Sequence, residues 1–146
     1  MEQQELYNLA VQFRHAIMEA KWNREFHSGA DRMNSFPGGC CDDSADLFGY
    51  YLWSEYHIQS KQGNGVYRDD DPENTTNHAF TILGDGMIVD LTADQFRYFS
   101  DSADGIYVGP EIDFYSHLEE KSTYEHCDIT CNKRLRHDYE AIRRHL

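Results

Sequence analysis

Cys41, His78 and Asp90 stand in an order with a chemical use. Ala45, Phe48, Leu52 and Tyr56 repeat at helical spacing and predict a helix that begins at Cys41, with Asp42 and Asp43 complementing its positive end. A thiol is a weak nucleophile until it ionises, and a helix N-terminus beside an imidazolium stabilises the thiolate. His78 opens the apolar run 78–83, and Asp90 lies in a second run, 87–91, beyond Gly84-Asp85-Gly86. Two such runs around a short glycine-containing connection predict a β-hairpin, and pairing outward from the turn brings Asp90 toward His78. A histidine can take a thiol's proton and later give it to a leaving amine, provided that a partner on its other nitrogen fixes the ring. The carboxylate of Asp90 is the natural partner, and Asp94, which closes the same segment in a turn, is its rival.

Each residue taken singly also has a structural reading. A cysteine in a helix is most often a small buried apolar group, which is the expectation for Cys40. A histidine at a strand start, or an aspartate at a strand end, is commonly structural. The combination in this order favours chemistry.

The strings Phe36-Pro37-Gly38-Gly39-Cys40-Cys41-Asp42-Asp43, His78-Ala79-Phe80 and Asp90-Leu91-Thr92 resemble the transglutaminase-like branch of the papain-type cysteine enzymes. The stretch from Val89 to Phe96 is similar to that of small bacterial and phage proteins of this type. The likeness spans residues 36–96 and leaves both ends uncovered. It implies a single cysteine-hydrolase-like domain over 1–146, with Cys41 as nucleophile, His78 as general base and acid, and Asp90 as orienter. Alignment of the family's cysteine favours Cys41 over Cys40. Asp42 stands where the family carries a small residue, so two carboxylates near the thiol should oppose its ionisation and leave activation to His78. The backbone N–H of Cys41 is an expected oxyanion donor, with Asn34 or Gln95 offering a side-chain amide. The implied activity is attack on an amide or ester carbonyl of a protein or peptide through a thioester. Transfer to water gives a protease, amidase or glutamine deamidase, and transfer to an amine gives a transamidase. Neither cofactor nor metal is implied.

A different class of function rests on His126, Cys127, Cys131 and His137, whose types suit Zn²⁺ in a zinc-stabilised adaptor. The simpler expectation places Cys127 and Cys131 four residues apart on a helix face as a packed pair. A non-catalytic interaction module of the same fold is a further alternative. Asp69-Asp70-Asp71-Pro72-Glu73 lacks the spaced ligands and glycine of a calcium loop and reads as solvated. Asn74-Thr75-Thr76 is a glycosylation sequon in form only.

The elements that must position these groups follow from composition and period. A chain of 146 residues, 40% hydrophobic and 14% aromatic, can bury one core rich in rings. A net charge of −13 repels phosphate backbones and disfavours nucleic acid as a partner. No apolar stretch reaches the roughly 18 residues of a membrane span. Met1-Glu2-Gln3-Gln4-Glu5 lacks the basic and then apolar regions of a secretion signal, so the expected location is the cytoplasm, with mostly free thiols. Leu6, Leu9, Phe13 and Ile17 predict a helix from residue 3 to about 22. Residues 60–77 read as a polar loop with one short strand at Val66-Tyr67, and 97–125 as irregular with a strand at 106–108. Leu135, Tyr139, Ile142 and Leu146 mark a final helix. The expected fold is α+β, a papain or transglutaminase-like domain with the cysteine-bearing helix packed on a small antiparallel sheet.

Overall fold

The computed structural model describes residues 1–71 and 73–146; Pro72, in the acidic loop, lies outside the described residues. The chain is an α+β fold. Helices α1 (Gln3–Trp22), α2 (Cys41–Tyr56), α3 (Asp113–Ser116) and α4 (Lys133–Arg143) accompany strands β1 (Ser60–Arg68), β2 (Thr75–Leu83), β3 (Ile88–Asp90), β4 (Tyr107–Gly109) and β5 (Glu119–Tyr124). The strands form one antiparallel sheet in the order β4-β3-β2-β1-β5. Among the described residues no helix is long and apolar enough to cross a membrane.

Two apolar layers flank this sheet. On one side α1, α2 and α4 bury Leu6, Phe13, Ile17, Phe48, Leu52, Leu135 and Ile142 together with Val89 and Val108 of the sheet. On the other side Phe80, Ile88, Phe96, Phe99, Phe114, Tyr115 and Leu118 form an aromatic layer, with Phe99 edge-on to Phe114 at 4.9 Å between centroids. Burial of each such side chain contributes roughly 2 kcal/mol, and favourable ring geometry adds a further increment. Helix α2 is covered nearly all round, with Asp43 through Gly49 buried, because it lies between the sheet and the other helices.

The hairpin forms as its sequence predicts. Leu83 N–H donates to Met87 O at 2.8 Å, Gly86 takes the left-handed conformation (φ 89°) that closes the turn, and Thr81 pairs with Val89. The reading of 60–77 as a loop is corrected: β1 runs nine residues and pairs with β2 from Ser60↔Leu83 to Arg68↔Thr75. Its composition hides it. Gly63 and Gly65 sit where a Cβ would come within 2.6 Å of Phe80 and Leu118, while Gln62 and Asn64 line an open groove. Strand β5, within the stretch read as irregular, is mostly exposed and pairs only with β1, so burial left no alternation in its sequence.

Candidate active site

Helix α2 begins at Cys41, after Gly39 in a left-handed turn (φ 71°) and Cys40 at the cap position. Cys40 points into the core with no exposure, and burial pushes its thiol up to about 12, so it behaves as a small apolar residue. Cys41 is partly exposed and lines a groove of about 500 Å³ with Gln62, Asn64, Asn77 and His78. Its Sγ lies 3.9 Å from the carbonyl oxygen of Asn77, the residue before His78.

His78 and Asp90 meet across the hairpin. Continuing the β2–β3 register sets Asp90 opposite Phe80, so His78 and Asp90 are diagonal neighbours on one face. His78 Nε2 and Asp90 Oδ2 are 2.6 Å apart, and neither side chain has any exposure. Tyr115 donates its hydroxyl to the same Oδ2 at 2.7 Å, and the Thr92 N–H donates to Oδ1 at 3.1 Å. Thr92 is itself held, its hydroxyl accepting from Gln95 Nε2 at 2.9 Å. The carboxylate thus has donors on both oxygens in a dry setting, where each bond is electrostatically strong. Burial works against a charged imidazole, but the Asp90 charge and hydrogen bond outweigh it, helped by Cys41, and push His78 up to about 9. Burial, reinforced by the charge of Asp90, holds the Tyr115 phenol far above its ordinary range, so it remains a donor.

With Nε2 committed to Asp90, Nδ1 is the ring's remaining nitrogen; it is buried and has no hydrogen-bond partner among the described residues. Cys41 is among the groups that favour the charged ring, and an imidazolium N–H at that position can stabilise a thiolate and return a proton to a leaving group. Orphan N–H groups of the first helical turn point the same way as the helix dipole and can add stabilisation for an oxyanion.

The two aspartates that follow Cys41 are both ion-paired. Asp43 is buried and ion-paired at 3.0 Å with both Arg32 and Arg134, so two guanidiniums offset its charge. Asp42 is more exposed and lies 3.3 Å from Arg32. The other sequence candidates sit elsewhere. Asp94 pairs with Arg14 at 2.7 Å, on the α1 side of the molecule. Asn34 donates to Ser28 O, and Gln95 is spent on Thr92. Neither amide lines the groove; Gln62 and Asn64 do, and strand alternation in β1 would have been the only signal for them. Sequence reasoning also misses Tyr115, because its partner is 25 residues away along the chain.

The expectation of a packed helical pair at Cys127 and Cys131 is corrected. Both are exposed, Cys127 in a loop and Cys131 at the end of a 3-10 turn, because Asn132 caps α4 by accepting from the Leu135 N–H at 3.0 Å and so starts the helix after them. His126 uses both ring nitrogens on Asp46 and Ser60, and His137 Nε2 meets Glu25 O. Among the described residues no group of three or more His, Cys, Asp or Glu side chains is placed to hold a metal ion.

No protein-family model matches this chain, and no curated protein or solved structure matches it.

Proposed function

We propose that the protein is a cysteine-nucleophile enzyme in which Cys41 attacks an amide or ester carbonyl and forms a thioester, with His78 as the proton carrier and Asp90 as its orienter. The observation that carries this reading is the division of labour on the His78 ring: Nε2 is locked on a buried carboxylate, the buried Nδ1 has no hydrogen-bond partner among the described residues, and Cys41 is one of the groups that help the ring to hold its proton. A purely structural histidine at 1% exposure would be expected to satisfy both nitrogens. The resemblance of the Cys41, His78-Ala79-Phe80 and Asp90-Leu91-Thr92 strings to transglutaminase-like enzymes points the same way.

In this scheme Cys41 Sγ attacks the carbonyl carbon and the helix-end N–H groups face the developing oxyanion. His78 gives its Nδ1 proton to the departing amine. Water or a second amine, deprotonated by the same nitrogen, then releases the acyl group. The open groove, lined by the amides Gln62 and Asn64 and by Ser122 and Tyr124, suits a protein or peptide segment that offers backbone hydrogen bonds.

Iodoacetamide at neutral pH tests the assignment. Cys41 is expected to alkylate ahead of the more exposed Cys127 and Cys131, and His78→Ala is expected to slow that reaction at least tenfold, as read by peptide mass mapping. Preferential alkylation of Cys127 or Cys131 with Cys41 inert would leave a non-catalytic module of this fold as the better account.

A further inference from the structure

A second imidazole–carboxylate pair lies outside the Cys41 groove. Asp46 of α2 accepts from His126 Nδ1, with Oδ1 2.8 Å away, and His126 Nε2 is 2.8 Å from the hydroxyl oxygen of Ser60, the first residue of β1. The same Asp46 Oδ1 accepts from Gln62 Nε2 at 2.9 Å, a second hydrogen bond that holds the carboxylate. A carboxylate on Nδ1 selects the tautomer whose Nε2 is an acceptor, so the Ser60 hydroxyl is the donor in this chain. That is the arrangement by which an imidazole takes a proton from a serine as the oxygen attacks.

The ring has a purpose-built seat. A Cβ at Gly49 would lie 2.3 Å from His126 Nε2, so only glycine admits the ring at that point of α2. Glycine is a poor helix former, and at this point of α2 it leaves the space that the imidazole fills. Ser60 and His126 then open onto a cavity of about 700 Å³ whose walls include Tyr50, Trp53, Ile82, Leu83 and Ile129. Asp46 stands behind the ring, its side chain 10% exposed against 14% for His126. Lys61, Glu125 and Asp128 add a charged part to the lining, and the aromatic and aliphatic part matches the apolar acyl or aryl group of a small ester.

We propose that Ser60, His126 and Asp46 form a second nucleophilic site, independent of Cys41, that hydrolyses small apolar carboxylic esters. Ser60 Oγ attacks the ester carbonyl carbon as its proton passes to His126 Nε2. The bond to the leaving alkoxy oxygen breaks, and that oxygen takes the proton from His126 and departs as alcohol, leaving an acyl-Ser60. Water then gives a proton to His126 and attacks the acyl carbon. The Ser60–acyl bond breaks, Ser60 recovers the proton, and the carboxylic acid is released.

An alkyl fluorophosphonate applied to the full-length Cys41→Ala protein tests this site without interference from the thiol. The expected result is one adduct per chain, mapped by mass spectrometry to Ser60, together with p-nitrophenyl butyrate hydrolysis that the adduct abolishes. Ser60→Ala is expected to remove both, and His126→Gln and Asp46→Asn to slow labelling by about a hundredfold or more. An unlabelled protein, an adduct on another residue, or equal labelling in a folded His126→Gln variant would each overturn the assignment. Because the adduct is mapped on the Cys41→Ala chain with the second site intact, labelling of Ser60 is read independently of whether the His126 and Asp46 variants fold, and of the function of Cys41.

Discussion

The imidazole–carboxylate pairs His78–Asp90 and His126–Asp46 are built in opposite senses. His78 gives Nε2 to Asp90 at 2.6 Å and leaves Nδ1 open, whereas His126 gives Nδ1 to Asp46 at 2.8 Å and turns Nε2 to a serine. The first pair has no exposed surface, and its carboxylate is supported by Tyr115 and the Thr92 N–H; the second retains some contact with solvent on both side chains. Full burial has a consequence beyond rigidity. In a dry site an unpaired imidazolium would be expelled, but a hydrogen-bonded carboxylate attracts it more strongly there than in water, so His78 holds its proton up to about 9. A ring that keeps its proton suits a thiol, which needs a neighbouring cation to ionise. A ring whose free nitrogen accepts suits a hydroxyl, which must be deprotonated during attack. The pair teaches that the free nitrogen and the nucleophile before it decide what a histidine–aspartate contact can do.

The largest effect expected in breaking this comparison is at Asp90. Asp90→Asn keeps the side-chain shape but removes the charge, and turnover at the Cys41 groove should fall by about a hundredfold or more, the scale seen when an orienting carboxylate is replaced. Single-turnover acylation by an activated ester, with circular dichroism to confirm folding, measures it; labelling of Ser60 by fluorophosphonate should be unchanged. The pH profile sharpens the test. The folded-state value for His78 lies above its ordinary 6.5, so the pair's stabilisation is complete below about 6.5 and is lost as pH rises through about 9. Wild-type acylation should therefore decline as pH rises through about 9. With Asp90 neutral, burial is opposed only by the smaller contribution of Cys41, and that alkaline limb should move to lower pH. An unmoved limb in Asp90→Asn would remove Asp90 from its assigned role.

A smaller effect is expected from Tyr115→Phe, which deletes one donor to Asp90 and leaves its ring among Phe80, Phe99 and Phe114. Loss of a buried hydrogen bond to a charged group costs about 1.5–3 kcal/mol, so chemical denaturation should show destabilisation of that order. Acylation should fall by about tenfold, as the carboxylate becomes less firmly oriented. Retained stability in this variant would mean that water replaces the phenol.

The smallest effect belongs to Asp94→Asn. Asp94 is tied to Arg14, and Arg14 also donates to Leu91 O at 2.7 Å and Gly105 O at 3.0 Å, so the segment keeps its anchor without the ion pair. Acylation should change by less than about twofold, in keeping with the modest worth of a partly exposed pair. Loss of activity in Asp94→Asn with full activity in Asp90→Asn would transfer the orienting role to Asp94.

The amino-acid sequence by itself determined the elements whose burial imprints a period on their own residues. Leu6, Phe13 and Ile17 mark α1, Leu135, Tyr139 and Ile142 mark α4, and the runs on either side of Gly84-Asp85-Gly86 mark the hairpin that joins His78 to Asp90. The start of α2 at Cys41 was legible for the same reason, through Ala45, Phe48 and Leu52. Tertiary structure alone decided what crosses between segments. Strand β1 carries glycines where neighbours crowd its backbone and amides where a groove opens, so no alternation of apolar and polar residues announces it. Tyr115 behind Asp90, Arg134 on Asp43, and the meeting of Asp46, Ser60 and His126 join residues 25, 91 and up to 80 positions apart. A single buried contact at such separation leaves no periodic trace, because the free energy that favours it appears only when the sheet and helices have already brought the two chain segments together.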